Sequence, residues 1–444
     1  MTGYCRFVDA VRRARLPGDG CSDCRNRAID ATLADDAYAC RSHHDDEECD
    51  VKRKLAAVLL TSGCVAQTVH AQSSVTLYGI VDAGLTYNSN SGGHSLTALT
   101  SGNGMGNRFG VRGREDLGGG LAAVFDLESG FSIVNGTTTQ GGTFFGRQAY
   151  VGLQSDRAGA LLLGRQTALS NDYVAKFASG STWAAAGTGY GSHVGDVDNL
   201  VAVNRTNNSV KYRTPTWRGL TFAGAYSFGG VAGEFSQNQI WQLGADYANG
   251  PFRLAASYLL AKNPNYSFFG NTQKSSATGS NLSGNPAYAG FASAGSQQIV
   301  AAGAGYRLGA LTIDAVYSNV QFSDLGATPV AGLSAHEAAY RGEATFNTAE
   351  LNLQYYATPA LLLGVAYNYT KLDGAAGEHA HYTQLNWGGR YFLSKATDLY
   401  AVAVWQRASG IDSTGRPAVA TVTGLTPSSG RSQLVVTAGI TKRF

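Results

Sequence analysis

Arg108, Arg112 and Arg114 are spaced by even numbers of residues, as are Asp126 and Glu128 shortly after them. On a strand, where side chains alternate between faces, each set projects from one side. Guanidinium groups and carboxylates gathered on one wall attract, repel and sort ions. Catalysis asks for something else, a base held against a nucleophile or an acid. The candidates downstream of the first 71 residues are His94, His193, His336, His379 and His381, all in stretches that read as loops. His379-Ala-His381 has metal-ligand spacing, but Glu378 is the one acid beside it, and a solvated loop accounts for the pair better. The glycine runs 102–106 and 187–191 open no helix, so they do not cradle a phosphate. The reading is a charged wall, with no enzyme, cofactor or metal expected.

The segments that carry these charges have period two. In 121–128, Leu121, Ala123, Phe125 and Leu127 share one face, and Ala122, Val124, Asp126 and Glu128 the other. In 361–370, Leu361, Leu363, Val365, Tyr367 and Tyr369 oppose Leu362, Gly364, Ala366, Asn368 and Thr370. This pattern specifies strands with one apolar and one more polar face. Short turns are expected at 115–120, 155–159, 215–219, 249–251, 308–310, 357–360 and 393–397. Longer connectors are expected at 88–106, 130–144, 167–203, 228–236, 263–296, 324–343, 373–380 and 408–431. Seven short turns alternating with eight long loops give sixteen strands, with short turns on one rim and long loops on the other. That is the pattern of an all-β, antiparallel transmembrane barrel, and sixteen strands close around water rather than a side-chain core. Tyr87, Tyr226, Tyr247, Tyr258, Tyr317, Tyr369, Tyr391 and Tyr400 fall near strand ends, where rings at a lipid boundary would sit.

Composition narrows the class. The chain is 44% hydrophobic and 15% charged, too few charges for a disordered protein. No stretch approaches the roughly 20 apolar residues of a spanning helix. A net charge of +3 gives no global field for a nucleic-acid partner.

All six cysteines lie at or before Cys64. Cys21-Ser-Asp-Cys24 has zinc-knuckle spacing, yet no second Cys-x-x-Cys follows, and 1–50 read as an unstructured upstream extension, misannotated as part of the protein. Residues 51–71 have the three parts of an export signal: basic Lys52-Arg53-Lys54, apolar Leu55–Ala66, and a small-residue site ending at Ala71. A lipoprotein signal at Cys64 is the alternative, opposed by Thr61 where leucine is wanted. The exported barrel is then 72–444, and a cysteine-free exported chain suits an oxidising envelope.

Three segments carry a family likeness: Ser74-Val-Thr-Leu-Tyr-Gly-Ile-Val-Asp82, Asn107-Arg-Phe-Gly-Val-Arg-Gly-Arg-Glu-Asp-Leu-Gly-Gly-Gly-Leu121 and Phe145-Gly-Arg-Gln-Ala-Tyr-Val-Gly-Leu153. Leu163-Gly-Arg-Gln166, Arg205-Thr-Asn-Asn-Ser-Val-Lys-Tyr-Arg-Thr-Pro215 and a terminal Phe444 continue it in order. Together, over 73–444, they resemble the general porins of betaproteobacterial type. The resemblance implies a homotrimer in the outer membrane of a Gram-negative cell, surrounded by lipid and passing small hydrophilic solutes and ions. It also implies that the third loop, 167–203, folds inward, and that Arg108, Arg147 and Arg205 form a basic cluster at the constriction. Arg165 and Asp172 are further candidates there. Where the family often has Tyr-Thr-Pro after Gly-Arg-Gln, this chain has Thr167-Ala-Leu, a departure that bears on the loop's path. The family reading makes Phe444 a signal to the barrel assembly machinery.

Alternation independently places Arg108, Arg112 and Arg114 on the polar, lumen-facing side. Asp82, Asp126 and Glu128 should face the lumen as partners for arginines. Arg147 shares parity with Val151 and Leu153, so a bulge must turn it inward. The alternative function is a substrate-specific channel or surface receptor, but the sequence shows no aromatic ladder to line its path.

The export reading makes a direct prediction. Intact mass of outer-membrane material should correspond to a chain beginning within two residues of Gln72 and free of cysteine; a mass that retains 1–50 contradicts it.

Overall fold

The computed structural model describes residues 73–267, 269–270, 281–282 and 284–444. The upstream extension expected at 1–50, the export signal expected at 51–71 and its expected cleavage residue Ala71 lie outside the described residues. The rest forms a closed antiparallel barrel of sixteen staves. These are β1 (Ser74–Ser91), β2 in two pieces (His94–Ser101 and Arg108–Gly118), β3 (Leu121–Gly130), β4 (Gln148–Ser155) and β5 (Gly159–Gln166). Next come β6 (Thr206–Arg213), β7 (Leu220–Ser227), β8 (Ile240–Asn249), β9 (Phe252–Lys262) and β10 (Ser296–Leu308). The last six are β11 (Leu311–Leu325), β12 (Gly342–Thr358), β13 (Leu361–Asp373), β14 (His379–Phe392), β15 (Thr397–Gly410) and β16 (Ser432–Arg443). Each strand pairs with its sequence neighbours, and β1 pairs with β16 from Ile80↔Arg443 to Asn88↔Val435, which closes the sheet.

All seven short turns fall where the sequence places them. The connector expected at 88–106 does not. β1 runs on to Ser91, the chain reverses at Gly92-Gly93, and 94–101 pairs back along β1 from Ser91↔His94 to Ala83↔Ser101. Only 102–107 leaves the wall before Arg108 resumes pairing opposite Ile80. Threonines explain the extra pairing: Thr86 lies between Thr100 at 2.5 Å and Thr437 at 3.0 Å, a cross-strand hydroxyl ladder.

Alternation sets what faces where. On β13, Leu363, Val365, Tyr367 and Tyr369 are exposed outward, while Leu362, Ala366, Asn368 and Thr370 are buried inward. Leu77, Leu85 and Leu243 are 65%, 63% and 64% exposed on the outside, an arrangement suited to lipid and not to water. Among the described residues no helix is long and apolar enough to cross a membrane. Tyr400 departs from the expected girdle: it points inward and is buried.

The interior is partly filled from the long-loop rim. Loop 167–205 carries short helical turns, including Ser170–Val174 and Ser179–Thr182. Phe269, Tyr288 and Phe291 of the 263–295 loop pack with the buried strand residues Leu259, Phe322, Phe346 and Tyr382. These loops leave the β2–β4 side of the lumen to the charged wall.

Chain closure ends on Phe444. Its N–H donates to the Gly79 carbonyl at 3.0 Å and its carbonyl accepts from the Gly79 N–H at 2.9 Å. The ring covers Gly79 so closely that a Cβ there would meet it at 2.3 Å. Deleting Phe444 removes two closing bonds of about 0.5–1.5 kcal/mol each. The heat-modifiable folded form on a gel should fall sharply while export is unchanged; unaltered folded yield would contradict this.

Candidate functional site

β2 and β3 bring the charges together through their register. Arg112 pairs opposite Asp126, Gly110 opposite Glu128, and across the next seam Glu128 opposite Gln148. Arg112 donates from Nε and Nη2 to Asp126 Oδ2 at 3.0 and 2.9 Å. Tyr78, from β1, donates its hydroxyl to Asp126 at 2.7 Å and Glu128 at 3.0 Å, with the Arg112 guanidinium 4.7 Å above its ring. The ring fits because Gly110 lies beneath it; a Cβ at that position would meet Tyr78 at 2.6 Å. Arg114, nearer the short-turn rim, donates to Gln154 at 3.1 Å.

Glu128 is the hub. Arg147 Nε donates to its Oε1 at 2.7 Å, and Arg108 Nη1 lies 4.0 Å from the same oxygen. Arg108 Nε also donates to the Gly106 carbonyl at 2.9 Å, and buried Arg205 donates to the Arg147 carbonyl at 3.4 Å. Two guanidiniums thus engage one carboxylate, and Arg205 lines the same space beside them, a net positive group. Arg147 reaches it without the bulge that parity required. β4 begins at Gln148, so Arg147 stands in the bend ahead of the strand, where alternation does not govern it.

Two water-accessible spaces follow from this wall. One, of about 480 Å³, is lined by Arg108, Arg112, Arg147, Arg205 and Glu128 on the wall side, and by Asn171, Asp172, Ser181 and Ala186 of the loop opposite. The other, about 800 Å³, is lined by Arg112, Arg114, Tyr150, Asp172, Lys211 and Arg213. They share Arg112, Gln148, Thr167 and Asp172, so they adjoin.

Other residues singled out in the sequence stand differently. Arg165 does not line the 480 Å³ space; it donates to the Gly146 carbonyl at 2.8 Å and binds Asn207. Asp172 does line it, but is paired with Lys211 at 2.7 Å, which alternation turns inward on β6 although 39 positions separate the two in the chain. Asp82 is buried under 102–107. Its oxygens accept from Tyr400 at 2.9 Å, Thr441 at 2.6 Å and the N–H groups of Gly104 and Met105, in place of the arginine expected. The reason is Gly104, whose missing side chain lets that backbone settle on the carboxylate.

The histidines are also corrected. His379 and His381 lie on β14, not in a loop, beside Asp373 at 3.3 Å and Tyr369 at 2.7 Å respectively. His193 is enclosed between Asp198 at 2.5 Å and Glu350 of β12 at 2.7 Å. Asp198 also accepts from Ser318 at 2.6 Å, and Glu350 from the Ser179 N–H at 2.7 Å. Burial alone would push the His193 imidazole down, but Asp198 and Glu350 hold it well above its ordinary value, as a cation clamped between carboxylates. This set joins the loop to β11 and β12. Burial, with Asp198 nearby, pushes the Asp196 carboxyl up to about 7, although the Val201 and Val203 N–H groups donate to it.

Comparison with known proteins agrees with the geometry. The profile of a family described as Gram-negative porin matches residues 55–410. An outer membrane porin protein of Bordetella pertussis is 38% identical over 236 residues, covering 47% of this chain and 59% of that one. Outer membrane porin protein 32 of Delftia acidovorans is 36% identical over 180 residues, 39% of this chain and 48% of that one. The chain thus matches about half the length of these relatives. A solved structure titled anion-selective porin from Comamonas acidovorans superposes with a TM-score of 0.63 at 21% identity, covering 84% of this chain and all of that one. At that identity it shows the fold.

The raised Asp196 sets a sign. Its proton is held more tightly in the docked loop than in an open chain, where aspartate ionises at about 3.9. Docking is therefore favoured below that pH, and the contribution is lost as pH rises through about 7. Amide exchange across 194–203, corrected for its intrinsic rate, should speed up between pH 5 and 8 in the wild type and stay flat in Asp196→Asn. Identical profiles would contradict the assignment.

Proposed function

Because the chain belongs to the Gram-negative porin family, whose members lie in the outer membrane, we propose that it is a general diffusion pore for small hydrophilic solutes and ions, with a moderate preference for anions. The observation that carries the preference is the excess of guanidinium over carboxylate at the lined space: Arg108 and Arg147 beside Glu128, with Arg205 lining the same space. Asp126 is matched by Arg112 and Asp172 by Lys211, so neither acid offsets the cluster. The protein works as a homotrimer in lipid, inserted by the barrel assembly machinery, a reading supported by its family and by the exposed apolar belt.

A fixed charge about 5 Å from a passing ion contributes roughly 0.8 kcal/mol in a water-like dielectric. Two net positive charges therefore give about 1.6 kcal/mol before screening. A Debye length of about 8 Å at physiological salt reduces this without erasing it at a separation of about 5 Å. A several-fold preference follows.

Reversal potentials in a salt gradient test it. The wild type should favour anions, and Arg108→Ala/Arg205→Ala should bring the ratio towards unity. A cation-selective wild type, or a double variant with an unchanged potential, would remove these arginines from the mechanism.

A further inference from the structure

Loop 167–205 stands opposite the arginine wall, and what holds it there is a set of missing side chains. Tyr173 lies where a Cβ on Gly244 of β8 would be, 2.6 Å from that position. Phe177 covers Gly303 of β10 at 2.3 Å, and Trp183 covers Gly364 of β13 at 2.3 Å. All three glycines sit at inward positions of their strands, between buried neighbours such as Ala301 and Ala366. All three have ordinary backbone angles, so what requires glycine there is the ring and not the turn of the chain. The rings themselves are buried.

The loop presents two sides in strict neighbourhood. Asn171 and Asp172 line the passage while the Tyr173 ring packs on Gly244, its edge bordering the adjoining 800 Å³ space; Ser181 lines the passage while Trp183 enters the wall. Polar bonds add direction: Trp183 Nε1 donates to Asn352 Oδ1 at 2.9 Å, and Asn352 Nδ2 donates to the Phe177 carbonyl at 3.0 Å. The Tyr173 hydroxyl finds no hydrogen-bond partner among the described residues, so that ring is held by shape.

We propose that Tyr173, Phe177 and Trp183 are positioning residues whose depth of insertion into the Gly244, Gly303 and Gly364 sockets sets the width of the passage between the loop and the arginine wall. The proposal rests on the porin reading. Its mechanism is steric: non-bonded carbons settle at roughly 3.5–4 Å, so a methyl group in a socket forces its ring back by ~1 Å or more. The strands behind are tied on both sides, so the loop moves towards the arginines. Removing ring volume has the opposite effect, freeing the loop to sink or to fluctuate.

Single-channel conductance of the exported barrel in planar bilayers reads this directly, with heat-modifiability reporting that each variant is folded. Gly303→Ala and Gly364→Ala change no charge, yet each should lose on the order of a third of the conductance, as expected when ~1 Å is taken from a narrow pore. Phe177→Leu should conduct at or above the wild-type level with more current noise. Gly303→Ala/Phe177→Ala, where the lost ring makes room for the methyl, should recover the loss. If the glycine variants do not fold, Phe177→Leu and Trp183→Phe decide: wild-type conductance and noise in both overturns the proposal. Folded glycine variants that conduct as the wild type does, or a Phe177→Leu loss matching that of Gly303→Ala, overturn it too. A wild type that carries no current refutes the porin reading instead, so the two failures are distinct.

Discussion

A strand that faces lipid has nowhere to leave an unpaired N–H or carbonyl, so the sheet must close on itself. Everything else in this chain is arranged around that closure. The seam between β1 and β16 runs from Ile80↔Arg443 to Asn88↔Val435, and the Phe444 backbone continues it onto Gly79. Once the ring is complete, alternation assigns every side chain to lipid or to lumen, and charge can accumulate only on the inner face. The loops that enter from one rim then decide how much of the lumen stays open.

The inner face is used unequally. On the β2–β4 side, register places Arg108, Arg112, Asp126 and Glu128 within reach of one another and of the water-accessible space. On the far side, the inward glycines Gly244, Gly303 and Gly364 receive rings of the loop, and Glu350 and Ser318 hold it through His193 and Asp198. Both arrangements serve one end: a polar backbone and a buried imidazolium are kept satisfied while a charged passage remains between loop and wall. Asp82 shows the same economy on a smaller scale, because its carboxylate holds the 102–107 excursion down through two N–H groups.

Much of this was legible in the sequence. Period-two alternation and the contrast of short and long connectors were local signals, and they led to sixteen staves with the turns in place. The parity of Arg108 and Arg112 was legible for the same reason. Where the outcome depends on residues far apart in the chain, local reading stopped. His193 reads as a loop histidine because Glu350, its partner, is 157 positions away. The 94–101 segment reads as loop because its pairing depends on β1 running longer than a bilayer requires. Parity does not govern Arg147, because the strand that would enforce it begins one residue later. Gly244, Gly303 and Gly364 look like three of 57 glycines until the rings that fill them are placed.

The central claim is that solutes pass between loop 167–205 and the arginine wall. All six cysteines of the chain precede residue 65, so a barrel produced from Gln72 onward carries none, and single cysteines can be introduced into it without competition. Current through Ser181→Cys should drop when a charged, water-soluble thiol reagent is added, whereas Val365→Cys, on the outer face, should be indifferent. A Ser181→Cys channel whose thiol is fully modified and whose current is unchanged would place the path elsewhere and contradict the account.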